Sequence, residues 1–378
     1  MKVVIACDSF KGSVTATEAV SYLEEGIRRV WPDAEVDGIP VADGGEGTVK
    51  AFLHRLPGRS IQVPVTGPLG DPVQAEFALL EDGTAVIEMA AASGLPLLAP
   101  EERNPMRTST YGTGQLMVAA LDAGCRRMVL GLGGSATNDG GAGMAQALGV
   151  KLLDGQGRSL PPGGGALGSL ERMDLSGLDP RLAHIPIVAA CDVTNPLCGA
   201  QGASAVYGPQ KGADGQMIRQ LDENLARFAQ VGLACTGRDV ANVPGAGAAG
   251  GLGAGLLLFT NARICSGITT VLDIVGFDAR IEDADLVLTG EGRMDGQSIY
   301  GKTPVGVAQR VKAKGNIPVV AIVGGMGPDV ERVYDFGIDA VFSTVPGPMT
   351  LEEAIERSHE LLASTAQRVA RLIQAVRL

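Results

Sequence analysis

Residues Gly131 to Gly143 read GLGGSATNDGGAG and follow directly on the apolar run Met128, Val129 and Leu130. A short apolar run bounded by glycines has the pattern of a buried strand, and the glycines behind it leave the backbone free to turn N–H groups toward an anion. The helical pattern from Ala142 to Leu148, with Gly149 placed to stop it, aims an N-terminus at the same point. The chemistry implied is phosphate binding, with Gly133, Gly134, Ser135, Asn138 and Asp139 as the candidate contacts. Gly131-Leu132-Gly133-Gly134-Ser135-Ala136 also satisfies the G-x-G-x-x-[GA] pattern of dinucleotide sites, and Asp154, after the strand-like Val150 to Leu153, stands where a ribose-binding acid belongs. Yet Thr137-Asn138-Asp139-Gly140-Gly141 is turn chemistry where a dinucleotide fold already winds its helix. Asp139 would repel a bare pyrophosphate and suits phosphates carried on Mg2+. A magnesium nucleotide is the favoured reading, with a dinucleotide and a purely structural tight turn as alternatives.

Other carboxylates and cations recur where strand patterns end. Asp8, Ser9 and Lys11 follow the apolar run Lys2 to Cys7, and in an open parallel sheet ligands collect at such carboxyl ends. Asp43 and Glu46 sit in the glycine-rich turn Ala42 to Thr48, where they are either ligand contacts or complements to the dipole of a following helix, Val49 to Leu56. Asp192 ends the run Pro186 to Cys191, with Asn195 close behind. Glu291, Arg293 and Asp295 lie in the loop expected after the strand Leu286 to Thr289. Gly296 to Thr303 matches G-x-x-x-x-G-K-T letter for letter, but Gly296 lies six positions beyond Gly290 and no apolar run ending in Asp follows downstream. The match reads as coincidence, while Lys302 keeps a role as a cation on the phosphate side.

Bulk properties narrow the classes. A chain of 378 residues, 45% hydrophobic, exceeds what one core serves, so two domains are expected. The net charge of −11 and the scattered Lys and Arg leave no basic stripe, which argues against nucleic acid. The longest apolar stretch, Gly245 to Phe259, is laced with glycine and too short to span a bilayer, and the start of the chain lacks a leader pattern, so no membrane partner and a cytoplasmic location are expected. Cys7, Cys125, Cys191, Cys198, Cys235 and Cys265 form no C-x-x-C pair, and His54, His184 and His359 lie in ordinary contexts. A Ser-His-Asp hydrolase is therefore disfavoured and a histidine-rich metal site excluded, and carboxylates must carry most of the acid–base chemistry.

The elements that position these residues follow from periodicity. Thr15-x-x-Glu18 is a capping box that opens a helix with Ala19, Val20, Leu23, Ile27 and Val30 on one face. Ser60 to Thr66 and Val73 to Met89 alternate like hairpin strands around Glu81 to Thr84, which marks the start of a second domain near residue 60. Thr113 is placed to cap a helix from Gln115 to Asp122. Ile218, Leu221, Leu225 and Phe228 share a core-facing helical stripe. Pro244 to Leu256 reads as a second backbone cradle or as tight helix packing, the ligand-facing reading being preferred. Pro318 to Val323 and Ala340 to Ser343 are parallel-type strands like those at the start, so both chain ends are expected to form one parallel-sheet domain, 1–60 with 281–378, around a central α/β domain with a mixed sheet, 61–280.

Taken in order, Asp8-Ser9-Phe10-Lys11-Gly12, Ala42 to Gly47, Gly133 to Gly141, Cys191 to Leu197 and Thr289 to Arg293 strongly resemble the bacterial class I glycerate kinase family, from the first strand to the last helix. Near the Walker match the likeness rests on Asp295, Gln297, Gly301 and Lys302; Gly296 and Thr303 lie outside the family motif. The resemblance implies a two-domain α/β architecture with a flavodoxin-like part, and ATP-dependent phosphorylation of D-glycerate, mostly to 2-phosphoglycerate. On chemical grounds Gly133 to Gly141 supply donors, while Asp139, Asp295 or Glu291 hold Mg2+. Asp192 is the candidate base, and Lys11 or Arg293 neutralises the substrate carboxylate or the migrating phosphoryl group. Asp8, Ser9, Asp43, Glu46 and Asn195 are candidate glycerate contacts. The site is expected in the cleft between domains. An NAD-dependent dehydrogenase built on Gly131 to Asp154, a kinase giving 3-phosphoglycerate and a non-catalytic metabolite sensor stand as alternatives, and a homo-oligomer is compatible with every reading.

Overall fold

The computed structural model describes residues 1–41, 49, 52–53, 56–299 and 301–376. They form two compact units, one from both chain ends, up to residue 41 and from 266 on, and one from the middle, 57–265. Asp43, Glu46 and most of the helix expected over Val49 to Leu56 lie outside the described residues. In chain order the strands are β1 (Lys2–Cys7), β2 (Glu35–Pro40), β3 (Gly58–Thr66), β4 (Pro72–Leu80), β5 (Thr84–Glu88), β6 (Arg127–Gly131), β7 (Lys151–Leu153), β8 (Arg172–Asp174), β9 (Ile187–Ala190), β10 (Ala262–Cys265), β11 (Leu286–Met294), β12 (Val319–Met326) and β13 (Ala340–Ser343).

In the chain-end unit the strands are parallel and ordered β13-β12-β11-β1-β2. Counted within the unit, that order is the flavodoxin-like one, in which the second strand steps to one side of the first and all later strands to the other. The near-continuous apolar run of β1 fits a central strand covered on both faces, and Val3 to Cys7 are fully buried. The helix Ala16–Arg28 opens on the expected Thr15 and Glu18 capping box and turns Ala19, Val20, Leu23 and Ile27 inward. Thr350 and Glu353 form a second capping box. The sequence pattern resumes this unit at 281; the helices Gly267–Ile274 and Phe277–Ile281 also pack within it, so it resumes at Ser266.

The middle unit holds a mixed sheet ordered β10-β9-β6-β5-β4-β3. β10, β9, β6 and β5 are parallel, and β5, β4 and β3 meander antiparallel through the hairpin read from the sequence. Helix Tyr111–Asp122 begins at Thr110 rather than at Thr113, whose hydroxyl instead donates to Ser93 Oγ at 2.9 Å. Pro244 to Leu256 is a correction: residues Ala248 to Leu256 of the helix Ala248–Phe259 are buried and pack on the backbone of the Thr137–Gly141 turn. Gly250 has φ +68° and donates no surface to a ligand; a Cβ there would lie 1.9 Å from the Thr137 carbonyl oxygen.

Candidate functional site

β1 and β11 are hydrogen-bonded neighbours at the point where the strand order of the chain-end unit reverses, the place where open α/β sheets leave a crevice. Cys7 pairs with Gly290, and the next residues, Asp8 and Glu291, occupy that crevice side by side. β11 was expected to end at Thr289, but β12 keeps pairing with it through Met294, so Glu291 and Arg293 are strand residues that outrun β1. Asp8 Oδ1 accepts the Ser9 N–H at 2.6 Å, and Oδ2 accepts the Thr303 hydroxyl at 2.8 Å. Glu291 accepts the Ser298 hydroxyl at 3.1 Å and faces Lys302 Nζ at 3.3 Å. Burial pushes the Glu291 carboxyl up to about 7, the Asp8 charge adds to this, and Lys302 and Ser298 oppose it. Lys11 and Arg293 are exposed, and Asp295 caps its own turn by accepting the Gln297 N–H at 3.0 Å.

The loop carrying the Walker match begins one residue past the strand, so spacing alone does not dismiss it. Its hydrogen bonds do. The N–H groups of Gly296, Gln297, Ser298 and Lys302 are donated to Pro328, to the Asp295 carboxylate, to the Asp295 carbonyl and to Ser298. A cradle needs those donors turned inward and unspent.

In the middle unit β6 and β9 are neighbours, with Gly131 opposite Ala190, so the loop at Gly133 and the residue Asp192 leave the same sheet edge. Leu95 N–H to Gly134 O and Ala136 N–H to Ser93 O, both 2.9 Å, pin the loop to its neighbouring turn. Gly133, Gly134 and Ser135 donate no N–H to any acceptor among the described residues, and Gly134 is exposed. The front of the loop thus keeps unspent donors. Its rear does not. Asp139, expected beside the phosphates, is wholly buried, and its carboxylate is held by Thr110 N–H and hydroxyl, Gly141 N–H and Gly143 N–H at 2.8 to 3.2 Å. Burial raises its pKa against those hydrogen bonds. It organises the loop and leaves no oxygen for a metal. Asn138 is likewise buried, its amide donating to Ser204 Oγ at 2.9 Å. Asp192 is half-buried; Asn195, behind it, accepts the Tyr207 hydroxyl at 2.7 Å and donates to Gln201 O at 2.8 Å, which fixes the turn.

Sequence reading missed Lys211. Its ammonium is buried and donates to Ser135 Oγ at 2.8 Å and Thr137 O at 2.7 Å, and burial lowers its pKa to about 7, with Asp139 opposing. A lysine in a short Pro- and Gly-flanked turn carries no local sign of such burial.

The dinucleotide alternative fails on topology. β7 pairs antiparallel with β8 in a separate two-stranded sheet, not beside β6, and Asp154 is engaged by Arg158 at 2.9 Å. Among the described residues no cluster of three or more His, Cys, Asp or Glu is placed to hold a metal ion. No helix among the described residues is long and apolar enough to cross a membrane.

Parallel α/β sheets with carboxylates at strand ends, and a loop that keeps unspent N–H donors, are parts of which α/β phosphotransferases are built. The comparisons give the family. The sequence profile described as the glycerate kinase family matches residues 3–374. Glycerate kinase of Bacillus subtilis is 52% identical, covering 99% of this chain and 98% of the relative, and glycerate 2-kinase of Escherichia coli K12 is 49% identical, covering 98% and 97%. A solved structure from Salmonella typhimurium LT2, assigned to glycerate kinase 2, matches with a TM-score of 0.90 and 48% identity over 100% of this chain and 99% of that one. The chain belongs to the glycerate kinase family and is a kinase.

Proposed function

We propose that the chain transfers the terminal phosphoryl group of ATP to the 2-hydroxyl of D-glycerate, giving 2-phosphoglycerate and ADP, and that it acts in the cytoplasm, where its six free thiols stay reduced. The observation that carries the reading is end-to-end likeness to glycerate kinases; the choice of hydroxyl rests on the Escherichia coli relative, whose name specifies the 2-kinase.

Each unit supports a part of this chemistry. The N–H groups of Gly133, Gly134 and Ser135 and the Ser135 hydroxyl take phosphate oxygens, and Asp192 accepts the proton of the attacking hydroxyl. Asn195 shapes the Asp192 turn. In the chain-end unit Asp8 and Glu291 hold Mg2+ by their carboxylates, and Lys302, Lys11 and Arg293 balance anionic charge. Mg2+ supplies neutralisation of charge at the phosphate oxygens when bound. Ser9 holds Asp8 in place through its N–H.

Proton-coupled ³¹P NMR of the product formed from D-glycerate and MgATP tests the reading. Phosphate on the 2-carbon sees one proton and gives a doublet. A triplet, from the CH2 at the 3-position, would replace 2-phosphoglycerate with the 3-isomer, and no product would remove ATP or glycerate from the proposal.

A further inference from the structure

Among the described residues, the charged side chains counted as buried are Asp139 and Lys211, and both are spent on the single loop Gly133 to Gly141. Removing an ammonium from water costs several kcal/mol, which two fixed acceptors offset only in part. Asp139 already has its oxygens filled by Thr110, Gly141 and Gly143, so Lys211 is not needed to satisfy it.

Hydrogen-bond valence shows what Lys211 does. When protonated, the Lys211 amine has three donors and no acceptor, so in the 2.8 Å contact Ser135 Oγ then accepts. The hydroxyl keeps one proton to donate, and no acceptor among the described residues takes it. Thr137 O, 2.7 Å from the same ammonium, holds Lys211 beneath the loop, while the N–H groups of Gly133, Gly134 and Ser135 are unspent on the same stretch.

We infer that Lys211 is a positioning residue that acts through Ser135: by occupying the Ser135 oxygen from below, it aims the Ser135 O–H, made more acidic by the cation, at an anionic phosphate group of the nucleotide. This deepens the proposed ATP reading and rests on it. The ligand class is a nucleoside polyphosphate, read by an O–H and main-chain N–H groups with a buried cation behind them rather than by an exposed lysine.

The test is a double-mutant cycle on the full chain, with Ser135→Ala, Lys211→Met and the pair, read as calorimetric Kd for MgATP and as KM for each substrate. Each single variant should weaken MgATP about 10- to 100-fold. KM for glycerate should move far less, and the pair should be no worse than about 3-fold beyond the weaker single variant, because both remove one donor. Additive effects, or a Kd within about 2-fold of the parent in Ser135→Ala, overturn the inference. Should Lys211→Met not fold, Lys211→Gln takes its place, and Ser135→Ala, which deletes one oxygen, decides by itself. A parent protein that turns over no ATP would instead sink the functional reading, so the two failures are distinct.

Discussion

Lys302 Nζ stands 3.3 Å from Glu291 Oε2, yet the carboxylate it faces is pushed up to about 7. The Glu291 side chain is 13% exposed, and the loss of water outweighs both the cation and the Ser298 hydroxyl, with the neighbouring Asp8 charge adding to the rise.

The first prediction follows from linkage. An unfolded glutamate titrates near about 4.3. Between that value and the folded value of about 7, the folded chain holds the extra proton, so the Glu291 contribution to stability falls as pH rises through this window. Glu291→Gln should remove the decline: Tm of the parent should drop relative to the variant between about pH 5 and about pH 8. Parallel Tm profiles would show that Glu291 titrates normally.

Asp192→Asn should lower kcat by about 100- to 10,000-fold with a smaller change in either KM, as expected when a proton acceptor is lost but its shape is kept. Steady-state kinetics at saturating MgATP and glycerate measure this. A kcat within a few-fold of the parent removes Asp192 as the base.

Gly134 has φ +72°, and an added Cβ would lie 3.2 Å from Ala90 Cβ. Gly134→Val therefore bends the part of the loop whose donors are unspent, while the buried rear, tied to Asp139, keeps its hydrogen bonds. MgATP affinity should fall more than about 10-fold with the circular dichroism spectrum unchanged. Full ATP affinity in this variant reassigns the loop.

Gly250→Ala should act on stability instead. Its φ of +68° and a Cβ only 1.9 Å from the Thr137 carbonyl oxygen demand a backbone shift under the loop, which costs more than about 2 kcal/mol. Urea denaturation checks this, and a loss under about 0.5 kcal/mol would mean that the helix and loop are not in backbone contact.

Much of the frame was legible in the chain alone. Lys2 to Cys7, Met128 to Leu130 and Ile187 to Ala190 announce buried strands through uninterrupted apolar runs, and the Thr15–Glu18 and Thr350–Glu353 pairs announce helix starts, because these signals act over a few residues. The parallel texture shared by both ends foretold one sheet from distant strands, and Asp8 and Asp192 were placed at strand ends where they stand. The extra length of β11 was not legible, since Glu291 to Met294 reads as polar loop and becomes strand only because β12 runs beside it.

What the sequence determined by itself is the main apolar strands, the capped helices, their order and the family; hydrophobic period and capping are local, and long ordered blocks of residues carry the likeness. Tertiary structure alone decided which polar groups of the loop are spent inside the fold and which are not. Asp139 and Asn138 sit in the same few residues as Ser135, yet packing by Thr110 and Ser204 turns them inward, and Lys211 reaches Ser135 across 76 positions of chain. Burial and hydrogen-bond partners are properties of neighbours in space, and for a loop walled by glycines those neighbours come from segments that no local pattern connects to it.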